Sequence, residues 1–184
     1  MSLTKTPICN FGEKAKDFNL LSTENKKISL NESRGENGTL IMFICNHCPY
    51  VKAVIKDIVQ DVKFLETLGI KSIAIMSNDV KNYPEDSFEN MISFSKTHNF
   101  TFPYLFDKTQ EVAKEYDAVC TPDFFGYNKN LELQYRGRIR ELKNLKPIGK
   151  GDSNLKIAMK LVVASGKGPK NQIPSMGCNI KWFE

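Results

Sequence analysis

The stretch Thr39-Leu40-Ile41-Met42-Phe43-Ile44-Cys45-Asn46-His47-Cys48-Pro49-Tyr50-Val51 decides the architecture. Residues 39–44 form a short, continuous apolar run, the pattern of a strand buried on both faces in a central α/β sheet. Beyond the cysteines, Val51, Val54, Ile55, Ile58, Val62 and Leu65 recur at spacings that fall on one stripe of an α-helix. Pro49 stands near its start, where the missing N–H is not needed, and Gly69 ends it. Lys71 to Met76 then reads as a second buried strand. Cys45-Asn46-His47-Cys48 therefore lies at a strand-to-helix junction. There, strand ends gather ligands in open α/β sheets, and the first helical turn presents free N–H groups.

Working outward, residues 17–21 and 26–30 bracket Ser22-Thr23-Glu24-Asn25 as an N-terminal β-hairpin. Glu85 to His98 is expected as one helix, with Phe88, Met91, Ile92 and Phe94 on its apolar side. Residues 103–106 are a short strand, and Thr109 to Tyr116 a short helix with Thr109 as its N-cap. Residues 124–127 and 131–136 flank the turn Asn128-Lys129-Asn130, a second hairpin. Asn154 to Ala164 is a final helix, with Leu155, Ala158, Met159, Leu161 and Val162 inward. The order predicts one α/β domain over 1–184 with a mixed sheet, its core at about 12–165 and a C-terminal extension at 166–184.

With 184 residues, 41% hydrophobic and 26% charged, the chain can bury a core without metals or disulfides as staples. No apolar run approaches the roughly 18–20 residues of a membrane span, so no membrane placement is expected. The N-terminus carries no secretory signal, and a cytoplasmic location is expected; a periplasmic one would require a signal already removed. Residues 1–135 carry fifteen Lys/Arg against eighteen Asp/Glu, and residues 136–184 eleven against three. This basic end reads as a solvated helix and loop, because no nucleic-acid-binding signature accompanies it. Ile180, Trp182 and Phe183 make an apolar terminus, fit either to dock on the core or to form a dimer contact. Monomer and homodimer both stay open.

Five cysteines, Cys9, Cys45, Cys48, Cys120 and Cys178, are an odd count. They suit reduced thiols with one pair held for chemistry rather than a disulfide framework. A helix N-terminus lowers a thiol's pKa from about 8.5 to roughly 3.5–7.5. Cys45 is expected as the exposed attacking thiolate and Cys48 as the more buried resolving thiol. A protonated His47 would support the Cys45 thiolate. Half of a zinc site and a pair of inert thiols are the competing readings. Zinc needs about four ligands, no second Cys-x-x-Cys exists, and no metal is expected. Pro122, after Cys120-Thr121, is either a plain turn proline or a cis-proline beside the dithiol. Cys120 is either a third redox thiol or a small buried hydrophobe. Cys178 lies in a terminal segment expected to be mobile; it could resolve Cys45 or Cys48, or simply pack.

Gly12-Glu13-Lys14-Ala15-Lys16-Asp17-Phe18-Asn19-Leu20 resembles the opening of the peroxiredoxin and thioredoxin-like reductase superfamily, also called alkyl hydroperoxide reductase/thiol-specific antioxidant. Residues 43–51, Cys120-Thr121-Pro122-Asp123-Phe124-Phe125, Tyr135-Arg136-Gly137-Arg138-Ile139 and Gly177-Cys178-Asn179-Ile180-Lys181-Trp182 resemble later blocks of its peroxiredoxin-like thioredoxin subgroup. The resemblance implies a thioredoxin fold with an added N-terminal β-hairpin and Cys45 and Cys48 as the redox pair. It also implies that Thr121 and Pro122 are the threonine–cis-proline whose backbone receives the substrate strand. His47 matches the second spacer residue of strongly oxidising dithiol proteins.

The departures separate the branches. Peroxiredoxins show Pro-x-x-x-Thr-x-x-Cys; with Cys48 in that frame, Cys45 replaces the threonine and Ile41 the proline. The family's arginine would fall near Pro122, where none stands, although Arg136 or Arg138 could reach the site from elsewhere. The expected activity is thiol–disulfide oxidoreduction in redox homeostasis, without a cofactor. Its partners would be a protein or small-molecule disulfide or thiol, with a reductase or thiol pool as electron source. A thiol peroxidase and a non-catalytic redox-sensing module are the alternatives.

Overall fold

The structure, a computed structural model, describes residues 2–184. In chain order its elements begin with β1 (Leu3–Lys5), β2 (Asn19–Ser22), β3 (Lys27–Ser29), α1 (Leu30–Ser33), β4 (Gly38–Phe43), α2 (Pro49–Thr67) and β5 (Ile70–Met76). After a 3-10 turn at Pro84–Asp86 come α3 (Phe88–Thr97), β6 (Tyr104–Phe106), α4 (Glu111–Glu115), β7 (Cys120–Thr121), β8 (Asp123–Asn128) and β9 (Leu133–Tyr135). The chain ends with β10 (Leu142–Lys143), β11 (Lys146–Pro147), α5 (Asn154–Ser165) and β12 (Met176–Asn179).

Seven strands form the central sheet in the order β3-β2-β6-β5-β4-β8-β9. β4, β5 and β6 run parallel to their neighbours in that trio, and the other pairings are antiparallel. The mixed sheet follows from the sequence order, because α2 returns the chain for a parallel strand and hairpins add antiparallel ones. β4 is buried along its whole length. Its alternation sends Leu40, Met42 and Ile44 to one face and Ile41 and Phe43 to the other. The first face packs on α2 and α5, the second on Phe18, Leu30, Val112, Tyr116 and Ile180. All six stripe residues of α2 are buried. Each contributes about 1.5–3 kcal/mol relative to exposure. Gly126 lets α5 approach β8: a Cβ there would sit 2.4 Å from Met159 Sδ.

The hairpins, β4, α2 and β5 lie where the sequence places them. Four expectations are corrected. The helix expected over 85–98 is broken at Ser87, whose hydroxyl accepts the Asn90 amide and caps α3, while Asp86 turns inward with no exposure. The cap of α4 is Gln110, in the left-handed region at φ 64°, rather than Thr109. Asp107 accepts the amides of Val112 and Ala113 in its place. Leu161 is 42% exposed, because it stands off the stripe made by Leu155, Ala158, Met159 and Val162. The terminal segment forms a strand: β12 lies between β1 and β7 in a separate three-stranded sheet. Ile180 docks on the core, while Trp182 and Phe183 stay substantially exposed. No helix among the described residues is long and apolar enough to cross a membrane.

Candidate active site

β4 ends at Phe43, and the chain turns through Cys45-Asn46-His47-Cys48 into α2. Cys48 is the N-cap of α2, and Pro49 occupies its first turn. Both cysteines are thiols in this structure, and neither sulfur-bearing side chain reaches solvent. Thr121 bridges them: its hydroxyl is 3.4 Å from Cys45 Sγ, and its carbonyl oxygen accepts from Cys48 Sγ at 3.1 Å when that sulfur carries its hydrogen. The Thr121–Pro122 peptide bond is cis.

The electrostatics are not those expected. Cys45 is buried rather than exposed, packed with Cys48 into the core on the α2 side of the sheet. Burial, the hydrogen bond to Cys48 and the Asp86 carboxylate push the Cys45 thiol well above its ordinary value. Cys48 takes the helix terminus instead. Its pKa falls to about 5, chiefly because the Cys45 thiol donates to it; burial opposes this, and Thr121 and the first-turn amide of Val51 add to it. The two shifts run in opposite directions, so the pair favours a thiolate on Cys48 over one on Cys45. The thiolate absorbance of the reduced protein should therefore fall as pH drops through about 5, and Cys48→Ser should remove that transition. The folded pKa lies below that of an unfolded thiol. This group thus favours the folded, reduced chain above the ordinary thiol range, and the contribution disappears as pH falls through about 5.

The Cys45–Cys48 loop is held by Asp86, a residue with no sequence motif. Its Oδ1 accepts the amides of Asn46 and His47 at 2.8 and 3.2 Å. Its Oδ2 bonds His47 Nδ1 at 2.6 Å and accepts Asn78 Nδ2 at 2.8 Å. Burial pushes the carboxyl up, but the bonds from His47 and Asn78 outweigh it and hold it below its usual range. The Asp86 bond in turn raises the pKa of His47. A proton on His47 is therefore matched by a carboxylate rather than left for Cys45. Tyr83 stacks on His47 at 5.7 Å, and Lys181 lies over Tyr83. Cys45, His47 and Asp86 offer three metal-ligand atoms within 4.8 Å of one another. The carboxylate already takes four hydrogen bonds, so a cation would have to break the pair that shapes the loop.

Cys120 is buried, and burial pushes its thiol far up, as expected of a small hydrophobe. Cys178 is 4% exposed in β12, and its thiol is hydrogen-bonded to the Cys48 sulfur. Neither candidate arginine points to the dithiol. Arg136 pairs with Asp123 at 3.0 Å and bonds the Asp117 carbonyl. Arg138 bonds Asn154 and Glu141. A groove of about 290 Å³ opens beside the loop, with Tyr50, Val54, Pro122 and Leu142 on its apolar wall and Arg138 and Arg140 on its charged one.

Residues 11–142 match the model of the AhpC/TSA family. The chain belongs to the AhpC/TSA family. Two solved structures are similar over its whole length. An uncharacterized conserved protein from Geobacillus kaustophilus is 37% identical, covering 100% of this chain and 97% of that one, with a TM-score of 0.93. A hypothetical protein from Sinorhizobium meliloti 1021 is 33% identical, covering 98% of each chain, with a TM-score of 0.90. A thiol:disulfide interchange protein of the thioredoxin family from Chlorobium tepidum TLS is 17% identical. It covers 83% of this chain and 97% of that one, with a TM-score of 0.64, and shows that this AhpC/TSA member has the thioredoxin fold. No curated protein matches the chain.

Proposed function

We propose that the chain is a thiol–disulfide oxidoreductase whose redox pair is Cys45 and Cys48. The observation that carries this reading is the pair of sulfurs at the β4–α2 junction, both on Thr121, with Cys48 at the N-cap of α2. The Cys48 thiolate attacks a substrate disulfide, and one substrate sulfur leaves. Cys45 then gives up its proton, attacks the mixed disulfide at Cys48 and releases the second substrate thiol. The groove at Tyr50 and Pro122, which Arg138 and Arg140 also line, offers a seat for the substrate's flanking chain. A reductase or thiol pool would restore the dithiol.

A thiol peroxidase is the second reading, favoured by one feature: the Cys45 thiol donates to Cys48 where a peroxidase places its threonine. Against it, Arg136 is paired with Asp123 and Arg138 with Asn154 and Glu141, so both guanidinia already have partners away from the sulfurs. The test is to measure both reactions of the reduced chain, with glutathione disulfide and with hydrogen peroxide, and to map the products. Turnover with the disulfide, a peroxide rate close to that of an ordinary thiolate, and a Cys45–Cys48 disulfide are expected. A peroxide reaction many orders faster would give the function to the peroxidase reading.

A further inference from the structure

β12 lies against the edge that faces the dithiol. Cys178 stands opposite Thr121 in the β12–β7 register, and Thr121 is the residue that touches both dithiol sulfurs. Gly177, beside it, has no room for a side chain. A Cβ there would fall 2.0 Å from the Thr121 carbonyl oxygen and 3.2 Å from Pro122 Cδ, so the strand lies flat on that peptide. The Cys178 thiol is thereby set against Cys48 and bonded to its sulfur. β12 is fastened at both ends. Ser175 donates to the Pro122 carbonyl at 2.7 Å, and Lys181 receives from and gives to the Asn78, Asp79 and Gln110 cluster. Cys45, Cys48 and Cys178 are all buried, and Thr121 is the residue common to them.

We propose that Cys178 is a third catalytic thiol, which exchanges with the Cys45–Cys48 disulfide to give a Cys48–Cys178 disulfide and a released Cys45. The proposal rests on the reading of Cys45 and Cys48 as the redox pair. The substrate disulfide first oxidises that pair and is itself reduced to two thiols. The Cys178 sulfur then attacks Cys48. The Cys48–Cys178 bond forms, the Cys45–Cys48 bond breaks, and the proton lost from Cys178 passes to the leaving Cys45 thiolate. No electrons are gained or lost in this step.

The experiment is disulfide mapping of the full chain after oxidation by glutathione disulfide, acid quenching, alkylation and trypsin cleavage. Cys45 and Cys48 fall in one tryptic peptide, 35–52, and Cys178 in another, 171–181. The wild type should yield the linked pair of peptides beside the internal Cys45–Cys48 form. In Cys45→Ser, more than about half of the chains should carry the Cys48–Cys178 link, with glutathione expelled. Cys45→Ser with Cys178→Ala should keep glutathione on Cys48, and its unfolding midpoint checks that the strand is intact. If Cys45→Ser retains glutathione on Cys48 while Cys178 is still alkylated, the proposal is overturned and the dithiol reading stands. If the wild type forms no Cys45–Cys48 disulfide and no adduct at either residue, both fall.

Discussion

Cys48→Ser should reduce disulfide exchange to background, a loss on the order of a thousandfold or more. Serine keeps the size of the side chain and the start of α2, so the fold should hold while the thiolate is gone. Cys45→Ser should behave differently. A hydroxyl can still donate to the Cys48 sulfur, so the first attack should continue within about tenfold of wild type, since one donor replaces another. Resolution through Cys45 is lost, and the adduct on Cys48 should pass to Cys178. Stopped-flow mixing with a chromogenic disulfide reads the first step, and intact mass reads the adduct. The opposite pattern, an inert Cys45→Ser and a reactive Cys48→Ser, would return the attack to Cys45.

The largest expected effect on stability comes from Arg136→Ala. Asp123 has no exposed surface, and Arg136 is 6% exposed. The guanidinium meets the carboxylate at 3.0 Å, bonds the Asp117 carbonyl at 2.6 Å and lies 4.4 Å over the Phe125 ring. Burial already pushes the Asp123 carboxyl up to about 6, against the pull of Arg136. Truncating the arginine leaves a buried carboxylate with no counter-charge and should cost about 3–5 kcal/mol, read from urea unfolding at neutral pH. Lowering the pH to about 5 should shrink that loss, because the lone carboxyl then takes a proton. Arg136→Met with Asp123→Leu should recover much of it. A loss below about 1 kcal/mol in the single variant would show that the pair does not hold the start of β8.

The parts of the fold that could be read in advance are those with a strong period. The apolar run of β4 and the stripe from Val51 to Leu65 each encode burial in their spacing, and between them they fix the dithiol at a strand-to-helix junction. What could not be read depends on contacts between distant residues. Asp86 sits in a stretch that reads as the start of an ordinary helix; its role comes from turning inward to meet amides of Asn46 and His47, about forty positions earlier. The Gln110 cap is a similar case, since nothing in Thr109-Gln110 says that Asp107 supplies the bonds. Met176-Gly177-Cys178-Asn179 carries no alternation, and its strand character exists only because β1 and β7 pair with it. The placement of Cys45 and Cys48 was legible; the burial of Cys45 was not. That depends on how the junction packs and on a carboxylate contributed from beyond β5.

The strand beside the dithiol also sets an order of events during synthesis. Cys178 joins the growing chain 130 residues after Cys48. At roughly 5–20 residues per second, the delay is on the order of ten seconds. β4, α2 and β5 are local in sequence and can pair and pack well within that interval. The dithiol junction is thus made early, and the strand that carries Cys178 and pairs with Thr121 is the last part of its surroundings to arrive.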